Sequence, residues 1–589
     1  MSFSGALKRR NAARVSFAYV AAAWLIIQVT ATFSPAPLMA QPLRPPAPSE
    51  PMLALRDVAP VIECEALLKV DAVFTDADLT HLTSTAVVSE AGKRPYCRVE
   101  GYIAPQIHFA LHLPTEGWNQ RYLQNGCGGY CGTLTSPDNV DAAAGCAPVE
   151  DGAFARASTD GGHTAPFDDG LWAVDDPQAQ VDLGYRAAHE VAVASKRIIA
   201  SFYGQVPRYS YFTGCSDGGR EALMEAQRYP DDFDGIIAGA PANIWSSLNG
   251  IFQPWVIGSN KARDGGYIIT PEKIPALARA ARETCDGVDG LEDGIIADPR
   301  ACEFDPGVIE CPAGRDDADC LTAAQVAAAR RIYAAPTGPD GRALYPGSMP
   351  VGSEAPWAEG ITAAAGQRAI AEGYASYRRF LDRDVALDSD MTRWTIDADE
   401  LTALRSGLGT IYDSTDPDLR AFSARGGKLI LWHGWADEAI PPHGTIAYWD
   451  AVRETVGSTA ERDAFMRLYM IPGMYHCSRG DFDRFDFLTP VMNWVERDAA
   501  PEAVVAWTAT DDTDDTVTRS RPLYPYPAVA RYDGSGDVDD AANFTSAAPA
   551  RRFESAYDWA GEFESGFERV CGWNGDPFRD GDFVCEPAE

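Results

Sequence analysis

The chain has 589 residues, 46% of them hydrophobic and 10% aromatic, which is enough to bury a large core and excludes a disordered or fibrous protein. Lys and Arg number 50 against 85 Asp and Glu, a formal net charge of −35. A chain that acidic repels phosphate backbones, so nucleic-acid binding is excluded as its main task.

At the N-terminus Lys8, Arg9, Arg10 and Arg14 precede the apolar run Val15 to Val29, and Pro35, Pro37 and Leu38-Met39-Ala40 follow. A basic start, a short apolar stretch and a small residue before a Pro-rich segment predict a secretory signal over residues 1–40. Leu38 fits the third position before cleavage poorly and the apolar character continues to Phe33, which keeps an N-terminal membrane anchor open as the alternative. On either reading the remainder is expected outside the cytoplasm, secreted or periplasmic or anchored and facing outward. No second run of spanning length occurs, and nothing calls for an obligate protein partner. The acidic stretch Asp511–Asp515 is expected to be a solvated loop.

Export makes the 13 cysteines legible, because in an oxidising compartment they pair. Spacing suggests Cys64 with Cys97, Cys285 with Cys302, Cys311 with Cys320 and Cys571 with Cys585, although spacing alone does not fix connectivity. Zinc is not expected: there is no C-x-x-C pair, and Cys127 and Cys131 have no companion His pair nearby. Those two cysteines sit in Gly126-Cys127-Gly128-Gly129-Tyr130-Cys131-Gly132, where four glycines let the backbone approach a ligand closely. Cys146 shares the neighbourhood, so one of the three is expected to stay free, and Cys131 with Cys146 is the expected pair.

The sharpest motif is Gly214-Cys215-Ser216-Asp217-Gly218, a complete G-x-S-x-G. Before it, Tyr209 to Thr213 has the aromatic and β-branched character of a short buried strand. After it, Gly218 to Ala226 reads as a helix that ends before Pro230. Strand, sharp turn and helix are the context in which this motif exposes a nucleophilic serine, and the backbone N–H of Asp217 then becomes a natural oxyanion donor. Residues 243–425 follow as a helix-rich insertion, for example from Leu321 to Tyr333, placed as a lid over an active site. Inside it, Asp286, Asp289 and Asp293 alternate with glycines. Hard oxygen donors on a chain that can curl suit Ca²⁺, although the spacing is not that of an EF-hand.

The sheet is expected to resume near Gly426. Lys428 to Gly434 reads as an apolar strand, with Asp437 in the loop after it; Leu468 to Gly473 reads as another, with His476 after it. Ser216, Asp437 and His476 therefore arrive in the order nucleophile, acid, base of an α/β-hydrolase. His433, His163 and His443 compete as bases, and Asp217 and Glu438 as acids. Cys215 precedes the candidate nucleophile and Cys477 follows the candidate base; if these two pair, the bridge fixes the geometry between serine and histidine.

The strings Cys215-Ser216-Asp217-Gly218-Gly219-Arg220 and His476-Cys477 resemble the tannase and feruloyl esterase family, which also contains mono(2-hydroxyethyl) terephthalate hydrolases. Tyr96 to Val99, Arg121 to Gln124, Ala157 to His163 and Gly426 to Pro442 extend the resemblance over most of the chain, from near Cys64 to Cys585. It implies an α/β-hydrolase fold with a large inserted lid domain, the hydrolase parts at 41–242 and 426–589 flanking the lid at 243–425. It also implies the triad Ser216, Asp437 and His476, a Cys215–Cys477 bridge, and Gly128 or Gly129 as second oxyanion donor. Cys127 and Cys131 depart from the commoner family pattern. Calcium ligands would be the carboxylates of Asp286, Asp289 and Asp293 and the carbonyls of Leu291 and Ile295, in a structural role; no organic cofactor is implied. The substrate would be a small ester of an aromatic acid of the feruloyl, galloyl or terephthalate-monoester type. Tyr374, Tyr377, Arg378, Arg379 and Phe380 are candidates to contact it, and surface packing explains them equally well. The alternatives are a lipase or peptidase on the same triad, and a non-catalytic protein binding phenolics or glycans. The complete triad argues against the binding protein, and the lack of a long apolar stripe in the insertion argues against a lipase.

Overall fold

The structure, a computed structural model, describes residues 52–69, 80–90, 92–364, 367–375, 397–511, 514–549, 551, 559–574 and 582–588. The expected targeting segment, residues 1–40, lies outside them. Among the described residues no helix is long and apolar enough to cross a membrane.

Nine strands form one mixed sheet in the order β1-β2-β3-β5-β4-β6-β7-β8-β9. β1 (Thr80–Val88), β2 (Tyr96–Ile103) and β3 (Ile107–Pro114) are antiparallel neighbours, and β3 is antiparallel to β5 (Ala155–Thr159). From β5 onward the sheet is parallel: β4 (Arg121–Asn125), β6 (Tyr209–Cys215), β7 (Gly235–Gly239), β8 (Lys428–Gly434) and β9 (Met466–Ile471). These parallel strands read as near-continuous apolar runs because both their faces are covered. Alternate side chains enter different cores, as the period of two requires. Phe212, Leu429, Leu431, Met466 and Leu468 join a cluster with the helices Ala187–Tyr203, Asp217–Arg228 and His443–Val456. Tyr211, Ile430, Trp432, Tyr469 and Ile471 join another, with the helix Leu488–Arg497. Helices thus cover both faces of a parallel sheet, which is the α/β-hydrolase architecture.

Between β7 and β8 the chain leaves the sheet for residues 240–427. Its helices include Gln253–Asn260, Ile274–Cys285, Ala323–Tyr333 and Ala398–Leu404. The helix Ala323–Tyr333 starts at a capping box in which Thr322 and Gln325 each satisfy the other's backbone N–H, so the chain enters it in a fixed direction. The insertion shares its core with the sheet domain: Trp245, Leu248, Leu277, Ile332 and Trp357 pack in one cluster with Tyr130, Tyr185, Met224 and Ile440.

Six disulfides are formed. Five are those expected: Cys64–Cys97, Cys215–Cys477, Cys285–Cys302, Cys311–Cys320 and Cys571–Cys585. The expectation of Cys131 with Cys146 is overturned, because Cys131 pairs with Cys127 and Cys146 is free and buried. The reason is local. The Cys131 N–H donates to the Gly128 carbonyl at 3.0 Å and Cys131 adopts φ +58°, so the turn folds back until the two Cα atoms are 5.4 Å apart. Cys146 meanwhile packs in the core beside Phe154 and Phe485, with the Thr489 hydroxyl donating to its sulfur. Of the stretch Asp511–Asp515, expected as a solvated loop, Asp511 ends β10 (Val504–Asp511) and Asp514 and Asp515 begin β11 (Asp514–Leu523), because the two strands pair antiparallel as far as Asp511 and Asp514.

Candidate active site

Ser216, Asp437, His476 and the Cys127–Cys131 loop all lie just beyond the C-terminal ends of parallel strands, β6, β8, β9 and β4 respectively. Open α/β sheets carry their sites at that edge. Ser216 stands between β6 and the helix Asp217–Arg228 at φ +66°, ψ −120°, a conformation that is strained for a non-glycine residue. It is held there by three backbone bonds: its N–H donates to Gly239, and its carbonyl accepts from Arg220 and Ala242. The turn closes only because Gly214 has no Cβ, which would stand 2.6 Å from the Gly218 carbonyl group. The strain is thus overdetermined by its surroundings, and it puts the serine hydroxyl at the head of the helix.

The Ser216 hydroxyl donates to His476 Nε2 at 2.9 Å, and His476 Nδ1–H donates to Asp437 Oδ2 at 2.8 Å. Nδ1 faces a carboxylate, so it carries the proton and leaves Nε2 free to accept. Asp437 is fully buried, and its other oxygen accepts the N–H groups of Ala439 and Ile440 at 2.9 and 2.8 Å. Burial alone would raise its pKa, but the charge and hydrogen bonds of His476 and His433 hold it well below the usual carboxylate range. Burial pulls the His476 pKa down, and the Asp437 carboxylate, with Glu438 behind it, outweighs this and leaves it raised. The two loops are stitched together by Trp435 N–H to Ile471 O and Ala436 N–H to Met474 O, at 2.8 and 3.0 Å.

The rival acids are otherwise engaged. The Asp217 carboxylate forms a buried ion pair with Arg220 at 2.5 Å, and Glu438 Oε2 accepts the backbone N–H of His476 at 3.1 Å. Of the rival bases, His433 touches Asp437 but not Ser216, and His163 stacks on Trp172 with centroids 3.6 Å apart.

A cavity of about 190 Å³ opens over Ser216, with Gly129, Tyr130, Asp217, Trp245 and Tyr374 in its wall. Gly129 faces this cavity. Gly128 is exposed at the turn and its carbonyl is occupied by Cys131. The loop is tied down from below by a bond that sequence reasoning did not supply: the Cys127 N–H donates to the buried Glu221 carboxylate at 2.9 Å. Only helical spacing on the elbow helix hinted at it, since Glu221 lies one turn beyond Asp217. Tyr377, Arg378, Arg379 and Phe380 lie outside the described residues. A larger cavity, about 560 Å³, lies between the Asp-Gly loop and residues 521–532, with no triad member in its wall.

In the Asp-Gly loop Asp286 accepts the N–H groups of Asp293 and Gly294, Asp289 accepts that of Leu291, and Asp293 accepts that of Ile295. These bonds curl the segment and gather the five residues named from the sequence on one short loop. Arg521 meets Asp293 Oδ2 at 2.8 Å and Arg519 donates to its carbonyl at 2.9 Å. Partial desolvation, with the carboxylates of Asp293 and Asp286 adding to it, raises the pKa of Asp289, while the Leu291 N–H and Arg521 act to lower it. The oxygen donors are of the kind a hard divalent cation takes, but among the described residues the three carboxylates are not gathered into one ligand group, and that of Asp293 is held by Arg521.

The model of the family described as tannase and feruloyl esterase matches residues 86–547. A mono(2-hydroxyethyl) terephthalate hydrolase of Piscinibacter sakaiensis is 34% identical over 531 residues, covering 79% of this chain and 87% of that one. A probable feruloyl esterase of Arthroderma benhamiae is 35% identical over 462 residues, covering 74% and 81%. Among solved structures, feruloyl esterase B from Aspergillus oryzae superposes with a TM-score of 0.72 at 26% identity, covering 82% of this chain and all of that one. The chain belongs to the tannase and feruloyl esterase family and is a carboxylic ester hydrolase.

Proposed function

We propose that this member of the tannase and feruloyl esterase family hydrolyses small esters of aromatic acids through an acyl-enzyme on Ser216. The observation that carries the reading is the relay Ser216 Oγ, His476 Nε2, His476 Nδ1, Asp437 Oδ2, with successive contacts of 2.9 and 2.8 Å. His476 Nε2 takes the hydroxyl proton as Oγ attacks the ester carbonyl, and the oxyanion is met by the N–H groups of Asp217 and Gly129. The resulting imidazolium, stabilised by Asp437, gives its proton to the departing alcohol oxygen, leaving Ser216 acylated. Water then gives a proton to Nε2 and attacks the acyl carbon; the proton returns to Oγ as the acid leaves. Tyr130, Trp245 and Tyr374 offer ring faces and edges to an aromatic acyl group. A cavity of about 190 Å³ lies below the usual range of about 300–1,000 Å³ for ligand pockets, which favours one ring over a long acyl chain. The insertion 243–425 serves as the lid. The six disulfides favour an oxidising compartment outside the cytoplasm.

Ca²⁺, where bound, would be held by Asp286, Asp289, Asp293 and the carbonyls of Leu291 and Ile295, and it would neutralise the carboxylates of that loop. The chemistry above uses none of these residues.

Ser216→Ala is expected to abolish turnover of a chromogenic aryl ester, and near wild-type activity would remove the assignment. A panel of methyl gallate, methyl ferulate and mono(2-hydroxyethyl) terephthalate, compared by kcat/KM, identifies the acyl group. Equal and weak activity on all three would overturn the aromatic-acid reading.

A further inference from the structure

Asp437 Oδ2 accepts two imidazoles. Besides His476 Nδ1 at 2.8 Å, it has His433 Nε2 at 3.1 Å. His433 belongs to the end of β8, four residues before Asp437, and both residues are fully buried. Its Nε2 also faces the Ile440 carbonyl at 2.9 Å, while its Nδ1 meets the Thr445 hydroxyl at 2.8 Å. Two acceptors at Nε2 require a proton there, so His433 Nε2–H donates in a forked bond to Asp437 and Ile440. The Thr445 hydroxyl meets Nδ1, so both ring nitrogens have partners.

We propose that His433 is a positioning residue for the acid: a second imidazole that divides the charge of Oδ2 and holds Asp437 in the orientation His476 needs. The proposal rests on the triad reading above. Three features of the geometry support it. The shared oxygen is the one that serves His476. The donor comes from the end of β8, a strand paired on both sides, rather than from the loop. Its far side is anchored on the first turn of the helix His443–Val456 by Thr445. The orientation of the acid is thereby referred to the sheet and to a helix at once, and groups held in this way position chemistry better than groups on loops alone. Among the described residues, the other ionisable groups acting on Asp437, His433 and His476 include Glu438, Tyr345 of the insertion, His443 at the head of the helix, and Arg479, which lies 3.6 Å from Glu438 and acts to lower the His476 pKa.

Removing the second donor concentrates the charge of Oδ2 on His476, which favours its imidazolium. The base is then protonated up to a higher pH, and the acid limb of kcat/KM moves upward. Two substitutions separate this effect from ordinary packing. Gln places an amide N–H where Nε2 was, whereas Asn reaches only the Nδ1 position. His433→Asn is expected to lower kcat/KM about 10- to 100-fold and to move the acid limb to higher pH; His433→Gln restores the limb and most of the rate. A wild-type limb and rate in His433→Asn, or equal impairment in both variants, would overturn the proposal. The far-downfield NMR proton of His476 Nδ1–H, followed in the inactive Ser216→Ala background, gives a readout independent of turnover. It should shift with His433→Asn and return with His433→Gln, and no shift counts against the proposal. Retained turnover in Ser216→Ala itself would sink the triad reading and leave this spectroscopic test of His433 standing.

Discussion

Two disulfides adjoin residues that line the Ser216 cavity, and they constrain the chain in different ways. Cys215–Cys477 joins residues 262 apart in sequence, whereas Cys127–Cys131 joins residues 4 apart. In the chain-entropy account the long closure opposes unfolding by roughly 5–6 kcal/mol and the short one by roughly 2, both as upper values. Their places in the site differ too. The long bridge connects the residue before Ser216 to the residue after His476, so it acts on the distance between nucleophile and base. The short bridge acts on one turn of backbone, the turn that brings Gly129 to the cavity. Sequence separation governs what each bond does for stability, and proximity to the reacting atoms governs what it does for rate.

The largest expected effect breaks the long bridge. The double variant Cys215→Ser/Cys477→Ser should lower the thermal midpoint clearly and reduce kcat/KM on the order of 100-fold, because the serine to histidine geometry then depends on loop contacts alone. Breaking the short bridge with Cys127→Ser/Cys131→Ser should leave the midpoint nearly unchanged while lowering kcat about tenfold, less than the roughly 100- to 1,000-fold that losing an oxyanion donor outright costs. Calorimetry and steady-state kinetics on the pair decide the matter, and the contrast fails if both variants lose rate and stability in the same proportion.

A pH profile sharpens it. Asp437 raises the His476 pKa above that of an ordinary imidazole, about 6.5. A base with a raised pKa is protonated until higher pH, so kcat/KM should fall on acidification through a limb above about pH 6.5. The short-bridge variant leaves the Asp437–His476 contact untouched and should keep that limb. The long-bridge variant frees the histidine loop, and the limb should drift down toward the ordinary value. Kinetics across pH 5 to 9 in the three proteins test this, and a common limb would show that the long bridge does not hold His476.

How much of this was legible in the sequence follows the same division between long-range and local constraint. Ser216, Asp437 and His476 could be named because each sits directly after a short apolar run, and parallel strands carry their functional loops at one edge. The Cys215–Cys477 link was legible because both cysteines adjoin triad members. The Cys127–Cys131 pair was not, since it depends on a left-handed residue at Cys131 that no spacing encodes; three nearby cysteines left the pairing open. Glu221 under the loop and His433 beside Asp437 were equally hidden. Both are buried polar contacts set by how a helix and a strand end pack, and sequence order carries no sign of which oxygen a donor will meet.

The smallest expected effect concerns a third bridge, Cys285–Cys302, which closes over residues 17 apart and encloses the Asp-Gly loop. Here covalent and ionic constraint act on the same segment, far from the relay in sequence. The carboxylates of Asp286 and Asp293 both act against the charge of Asp289; Arg521 offsets part of this, and the direct ion pairs of Arg519 and Arg521 within the loop go to Asp293. A divalent cation on this loop would remove the residual repulsion, so chelation should lower the thermal midpoint by a small step that added Ca²⁺ reverses. Asp286→Asn should abolish that Ca²⁺ response. Since no residue of the loop lines the Ser216 cavity, kcat/KM below the melting range should be unaffected by chelator. A chelator-insensitive midpoint with no Ca²⁺ bound by titration calorimetry would remove the ion. A fall in kcat at constant midpoint would instead make the loop part of the active site, and would break the separation of stability from rate on which the comparison of bridges depends.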